Sequence, residues 1–130
     1  MFLFGMGQGS AAAVNGAAYA PPGTLAGVIV NEPPSVTCCD AKFEAKNVRV
    51  PALVVANLAD RCGFAPSDAA KSIAADMSDS PDVKVAIVSG GIRQSISDCG
   101  PYTPHGYYGM EDQVVDLVNN WMDRHSPAVR

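Results

Sequence analysis

Phe2-Leu3-Phe4-Gly5-Met6-Gly7-Gln8-Gly9-Ser10-Ala11-Ala12-Ala13 is the stretch that decides the fold. Phe2–Phe4 reads as a short buried strand. Glycine then takes every second position from Gly5 to Gly9, which suits a turn too tight for most side chains. The alanine run predicts a helix over Gln8–Tyr19, stopped by Pro21-Pro22-Gly23. Its small side chains let that helix lie close against a sheet. A strand turning sharply into a helix is the opening of a βαβ unit.

Working outward, Leu25–Val30 reads as the next strand. Asn31–Asn47 reads as an irregular loop, with Pro33-Pro34 and the adjacent cysteines Cys38 and Cys39. Ala52–Ala56 is a continuous apolar run, the mark of a strand buried on both faces. Pro66 and Ser67 open a helix that reaches about Met77, with Ile73 and Met77 one turn apart on one face. Val83–Val88 is a further strand. Glu111–Arg124 is an amphipathic helix whose stripe comprises Val114, Val115, Leu117, Val118, Trp121 and Met122. Strands alternating with helices predict an α/β fold, about four parallel strands with flanking helices. The whole of residues 1–130 reads as a single domain, with no internal repeat or linker.

Composition excludes several classes of function. The chain has 13 acidic and 9 basic residues, and residues 1–41 hold no Lys or Arg. Phosphate binding needs clustered basic residues, so nucleic acid is not an expected partner. No apolar run reaches the ~20 residues of a membrane span. Charged residues are only 17% of the chain while 48% are hydrophobic, against about 25% charged in ordinary domains. One explanation is alanine richness; the other is that a sheet edge and its helices expect a partner.

Two residues carry candidate chemistry. His105 lies in Pro104-His105-Gly106-Tyr107-Tyr108-Gly109, a glycine-rich loop between a strand and the last helix. Loops at the C-terminal edge of a parallel sheet are where ligand-reactive groups gather, and a histidine can take and return a proton near neutral pH. The plain alternative is a surface loop histidine. Asp60 closely follows the Ala52–Ala56 strand, where a lone aspartate also serves as a turn residue. His125 reads as a charge at a helix C-terminus. Cys38, Cys39, Cys62 and Cys99 show no C-x-x-C spacing, so no zinc site is expected, and no cofactor motif is present.

The order and spacing of these pieces resemble the C-terminal half of the α/β-hydrolase family, closest to a lidless bacterial group. The resemblance runs through Leu3–Ala18, Leu25–Val30, Val50–Cys62 (VPALVVANLADRC), Val83–Gly91 (VKVAIVSGG) and Cys99–Glu111 (CGPYTPHGYYGME), ending at Trp121. In that family a strained strand-to-helix turn, G-x-S-x-G, lifts a nucleophilic serine above the sheet, and the acid and histidine follow in chain order. Gly5 and Gly9 match the flanking glycines, but the serine position is Gly7. The resemblance implies Asp60 as the acid, His105 as the base, and the Gln8 backbone amide as an oxyanion donor. It implies a disulfide between Cys62 and Cys99, which forms in an oxidising compartment. It also implies that the family's earlier strands, with the second oxyanion donor, lie outside this sequence.

Those implications set the functional expectation. The reading is a carboxylic-ester hydrolase of the serine-hydrolase type, weak or inactive because the nucleophile is missing. Its ligand would be a small ester or acyl compound. Ser10 is the nearest hydroxyl and is a weaker candidate nucleophile, about one helical turn past Gly7; its plain role is a small helix residue bonded to the backbone. The second reading is a non-catalytic hydrolase-like fragment that binds a small ligand or only self-associates, with a homodimer as the simplest closed form. The connection from Val30 to Val50 is too short for a large helical lid. A competing reading of the N-terminus as a signal peptide rests on Ala18-Tyr19-Ala20, but it lacks a basic start and leaves the three glycines unexplained.

Overall fold

The computed structural model describes residues 1–35 and 44–126. Cys38 and Cys39 therefore lie outside the described residues. Four strands form one sheet: β1 (Phe2–Met6), β2 (Gly27–Asn31), β3 (Ala52–Asn57) and β4 (Val83–Val88). All neighbours are parallel and the spatial order is the chain order, β1-β2-β3-β4. The helices are α1 (Gly9–Tyr19), α2 (Ser67–Asp76) and α3 (Glu111–His125), with 3₁₀ turns at Ala45–Asn47 and Pro104–Gly106.

Side chains alternate across β2 and β3 and so build two cores. Val28, Val30, Ala52, Val54 and Ala56 face one side, where they meet Ala13, Val14 and Ala17 of α1 and Ala70 and Ile73 of α2. Ile29, Leu53 and Val55 face the other, where they meet Val114, Val118 and Trp121 of α3. Every residue of β2 and β3 is buried, as expected for the centre of a sheet covered on both faces. The helices α1 and α2 share a face because each closes a crossover between neighbouring parallel strands, while α3 covers the back.

Gly5 shows why the first turn is built from glycine. A Cβ there would come within 2.5 Å of the Gly9 carbonyl oxygen and 2.7 Å of the Ala13 Cβ. The close approach of β1 to α1 thus requires a missing side chain.

Two expectations need correction. Phe2–Phe4 is not a buried strand: β1 is an edge strand, and Phe4 is 57% exposed. Val115 stands outside the buried stripe of α3, whose buried positions are Val114, Val118 and Trp121. Helical spacing explains this: those three share one face, and Val115 is rotated about 100° from Val114. Phe4, Val115 and Met122 border an apolar groove between β1 and α3.

Candidate active site

All four strands run parallel, so the loops leaving their C-terminal ends converge on one edge of the sheet. The turn after β1 puts Gly7 there. Its φ is +57°, a left-handed conformation that favours glycine. Its amide donates to the Asn31 carbonyl at 2.9 Å, pinning the turn to the end of β2. A Cβ on Gly7 would lie 3.7 Å from His105 Nε2, an ordinary contact distance.

The loop after β3 supplies Asp60. Its side chain is fully buried. Oδ1 accepts from the Cys62 amide at 2.8 Å, and Oδ2 lies 2.7 Å from His105 Nδ1. Burial pushes the Asp60 carboxyl up, but hydrogen bonds from His105, Glu32 and the Cys62 amide outweigh that and hold it below the ordinary aspartate value. An ionised Asp60 accepts, so His105 Nδ1 carries the proton, and Nε2 presents its lone pair on the side of Gly7.

The histidine loop is held from several directions. Thr103, buried at the start of the 3₁₀ turn, accepts from the His105 amide at 3.1 Å and donates to the Gly100 carbonyl at 2.7 Å. Asn57, the last residue of β3, donates to the carbonyls of Gly90 (2.9 Å) and Pro104 (3.0 Å). It also accepts from the Ala59 and Gly90 amides. One buried side chain thus ties the acid loop, the loop after β4 and the histidine loop together. A disulfide joins Cys62 to Cys99 with Cα atoms 4.7 Å apart, linking the acid loop covalently to the segment before His105.

These loops enclose a cavity of about 210 Å³ lined by Gly7, Gln8, Pro34, Phe64, Ala65, the Cys62–Cys99 bridge and His105. Asp60, Cys62 and His105 lie close enough to suggest a metal cluster. The donor set does not fit one: the Cys62 sulfur is spent in the disulfide, and Asp60 and His105 hold each other.

Ser10 is placed against its candidate role. It is fully buried, and its hydroxyl donates to the Asn31 carbonyl at 3.0 Å. The helix turns its side chain into the sheet rather than toward the cavity, so it is a structural hydroxyl. His125 lies in the last turn of α3, as read. Beyond sitting at the end of α3, it stacks on Trp121 at 4.2 Å between ring centroids and lies 2.8 Å from Asp82 Oδ2.

Three site residues were not singled out from sequence: Asn57, Tyr107 and Glu32. Tyr107 is buried in a left-handed conformation (φ 57°) and donates to the Asn31 side chain at 3.2 Å. Burial and the nearby carboxyls of Glu32 and Asp60 raise its phenol well above the usual range. Glu32 follows β2 and is fully buried, also at positive φ (46°). A glutamate directly after the apolar VIVN of a central strand was the available signal, because such a side chain must fold back over the sheet or leave it.

The chain matches no protein-family model and no curated protein. Solved structures do match. SOBER1 from Arabidopsis thaliana aligns with a TM-score of 0.58 at 18% identity, over 95% of this chain and 52% of that one. An acylaminoacyl peptidase from Pyrococcus horikoshii aligns with a TM-score of 0.64 at 13% identity, over 99% of this chain and 24% of that one. The same peptidase in an uncomplexed form gives a TM-score of 0.53. The chain therefore spans about half the length of SOBER1 and a quarter of the peptidase. With its four parallel strands and flanking helices, the chain has a partial α/β-hydrolase fold.

Proposed function

We propose that the chain is a carboxylic-ester hydrolase of the serine-hydrolase type whose nucleophile position, Gly7, is vacant, leaving a weak or inactive enzyme for small ester or acyl substrates. One observation carries the reading. Gly7 has the left-handed φ of a strained strand-to-helix turn, and its missing Cβ points to a place 3.7 Å from His105 Nε2. That nitrogen belongs to an imidazole oriented by a buried aspartate.

The roles follow from this. A hydroxyl on residue 7 would pass its proton to His105 Nε2 while its oxygen attacked the ester carbonyl. Asp60 would stabilise the imidazolium, and the Gln8 amide would donate to the developing oxyanion. The imidazolium would then protonate the departing alcohol. With glycine at position 7, the general base remains but the covalent step is lost.

The test is hydrolysis of short-chain p-nitrophenyl esters by the native chain and by Gly7→Ser. Loss of a serine nucleophile costs about 10⁶-fold in an intact triad. The variant should therefore exceed the native chain by at least about 10³-fold. No gain in a folded Gly7→Ser protein overturns the hydrolase reading.

The second reading is a non-catalytic hydrolase-like fragment that binds a small acyl ligand or self-associates. The exposed Phe4 and the apolar groove beside α3 favour it. A homodimer through the β1 edge would cover both. Sedimentation over a wide dilution range tests it; a monomer at every concentration removes it.

A further inference from the structure

We propose that Glu32 is a positioning residue that works as a neutral carboxylic acid, donating a hydrogen bond to the Asp60 carboxylate and so setting how strongly Asp60 acts on His105. The inference rests on the reading of Asp60 and His105 given above, but it assigns a new group to their site.

The geometry argues for a proton between the two carboxyls. Glu32 is fully buried at the end of β2. Its backbone amide donates to the Val55 carbonyl at 2.8 Å, and its Oε1 accepts from the Asn57 amide at 2.5 Å. Both contacts bind it to the neighbouring strand, so the side chain is held rather than free to swing to solvent. Its Oε2 is buried and, as a bare carboxylate oxygen, has no donor. Asp60, whose side chain is likewise fully buried and accepts from His105 and the Cys62 amide, is the carboxyl whose hydrogen bond and charge act on Glu32. Two carboxylate oxygens facing each other in a buried site repel and leave lone pairs unsatisfied. One shared proton removes both faults.

The proton belongs on Glu32. Asp60 is stabilised as the anion by His105 and the Cys62 amide, whereas Glu32 has one backbone donor. Burial, then the hydrogen bond to Asp60 and its charge, push the Glu32 carboxyl up to about 10. Among the described residues, Tyr107 is a further titratable group near the pair, and it stays neutral. Glu32 also holds a left-handed backbone conformation that a glutamate rarely adopts, and the Val55 and Asn57 bonds are what hold it there.

The consequence is a damped charge on Asp60. A carboxylate that accepts from a carboxylic acid spreads its charge and attracts the imidazolium less.

The experiment reads the His105 imidazole by NMR titration in the native chain, Glu32→Gln and Glu32→Ala. Infrared spectra at neutral pH report the carboxyl C=O directly. Glutamine reproduces both the donor and the acceptor of a neutral glutamic acid, so Glu32→Gln should leave the His105 midpoint unchanged and remove a protonated-carboxyl band seen in the native chain. Glu32→Ala should raise the midpoint. A Glu32→Gln midpoint clearly below the native one, or no protonated-carboxyl band in the native chain, would mean that Glu32 is ionised and would overturn the proposal. The infrared measurement needs only the native chain, so it decides even where Glu32→Ala does not fold. Neither readout depends on hydrolysis: an inactive Gly7→Ser variant would sink the enzymatic reading while leaving this result standing, and the reverse also holds.

Discussion

The described residues include two histidine–aspartate pairs, and they differ in what they leave free. His105 and Asp60 are 2.7 Å apart, and His125 and Asp82 are 2.8 Å apart. In the first pair the aspartate side chain is fully buried, and the second ring nitrogen faces the space above Gly7. In the second, Asp82 is 57% exposed, and the other ring nitrogen is already bonded to the Trp121 carbonyl. The separation alone says little about chemistry. A buried partner fixes the ring and keeps its field unscreened, and a free nitrogen gives the ring something to do. His125 meets neither condition and acts as a clamp that packs the end of α3 against the loop before β4.

The sharpest way to break this comparison is to give the first pair a nucleophile. In a Gly7→Ser background, His105→Ala should remove about 10³-fold of the acquired esterase activity. His125→Ala in the same background should change it by less than about twofold, a bound set by its lack of contact with the cavity. Equal losses at both positions would show that the pairs are not functionally distinct.

The disulfide provides the next largest effect. Cys62 and Cys99 are 37 residues apart in sequence, and removing a loop-closing bridge of that length costs about 3–4 kcal/mol. Denaturant titration of the Cys62→Ser/Cys99→Ser protein measures it. Reduction should also shift the NMR signals of His105 and leave those of His125 in place, since the bridge lies beside only the first pair.

The pH dependence comes third. Glu32 has a folded pKa raised above its unfolded value, so its contribution is complete below about pH 4.5 and is lost as pH rises toward about 10. Asp60 has a lowered folded value, so its contribution holds above the ordinary aspartate range and is lost on acidification. Between about pH 5 and 9 the native chain should therefore lose stability as pH rises, with a slope of at most about 1.4 kcal/mol per pH unit from this group. Glu32→Gln should flatten that slope in denaturation midpoints measured across the range. An unchanged slope would remove Glu32 as its source.

The smallest effect is at the second pair. His125→Ala loses its stack on Trp121 and its bond to an exposed aspartate. Solvent screening discounts the ion pair, so about 1 kcal/mol is expected by thermal or chemical unfolding.

Much of the fold was legible in the chain because it depends on period and run length. The apolar stretch Ala52–Ala56 could only be a strand covered on both faces, and β4 runs over Val83–Val88 as read. What failed was depth. Phe4 looked like core because it is apolar, yet edge position exposes it. Ser10 looked reachable from helical spacing, but spacing does not say which way the turn rolls the helix. In the site, chain order pointed to Asp60 and His105. The one local signal for Glu32 was a glutamate directly after an apolar central strand; its inward placement depends on a left-handed backbone at a non-glycine residue, which period and run length do not announce. Asn57 was missed for a related reason: its partners at Gly90 and Pro104 are 33 and 47 residues away in sequence.

The bridge between Cys62 and Cys99 makes a covalent ring of everything from the acid loop through α2 and β4 to the approach of the histidine loop. Ile96, at 97% exposure, sits on that ring. A protease that cuts there opens the ring without releasing a piece, because each new fragment still holds one of the two sulfurs. The nicked protein should migrate as one band without reductant and as two with it. Asp60 and His105, carried on opposite sides of the cut, would then be joined covalently only through the disulfide.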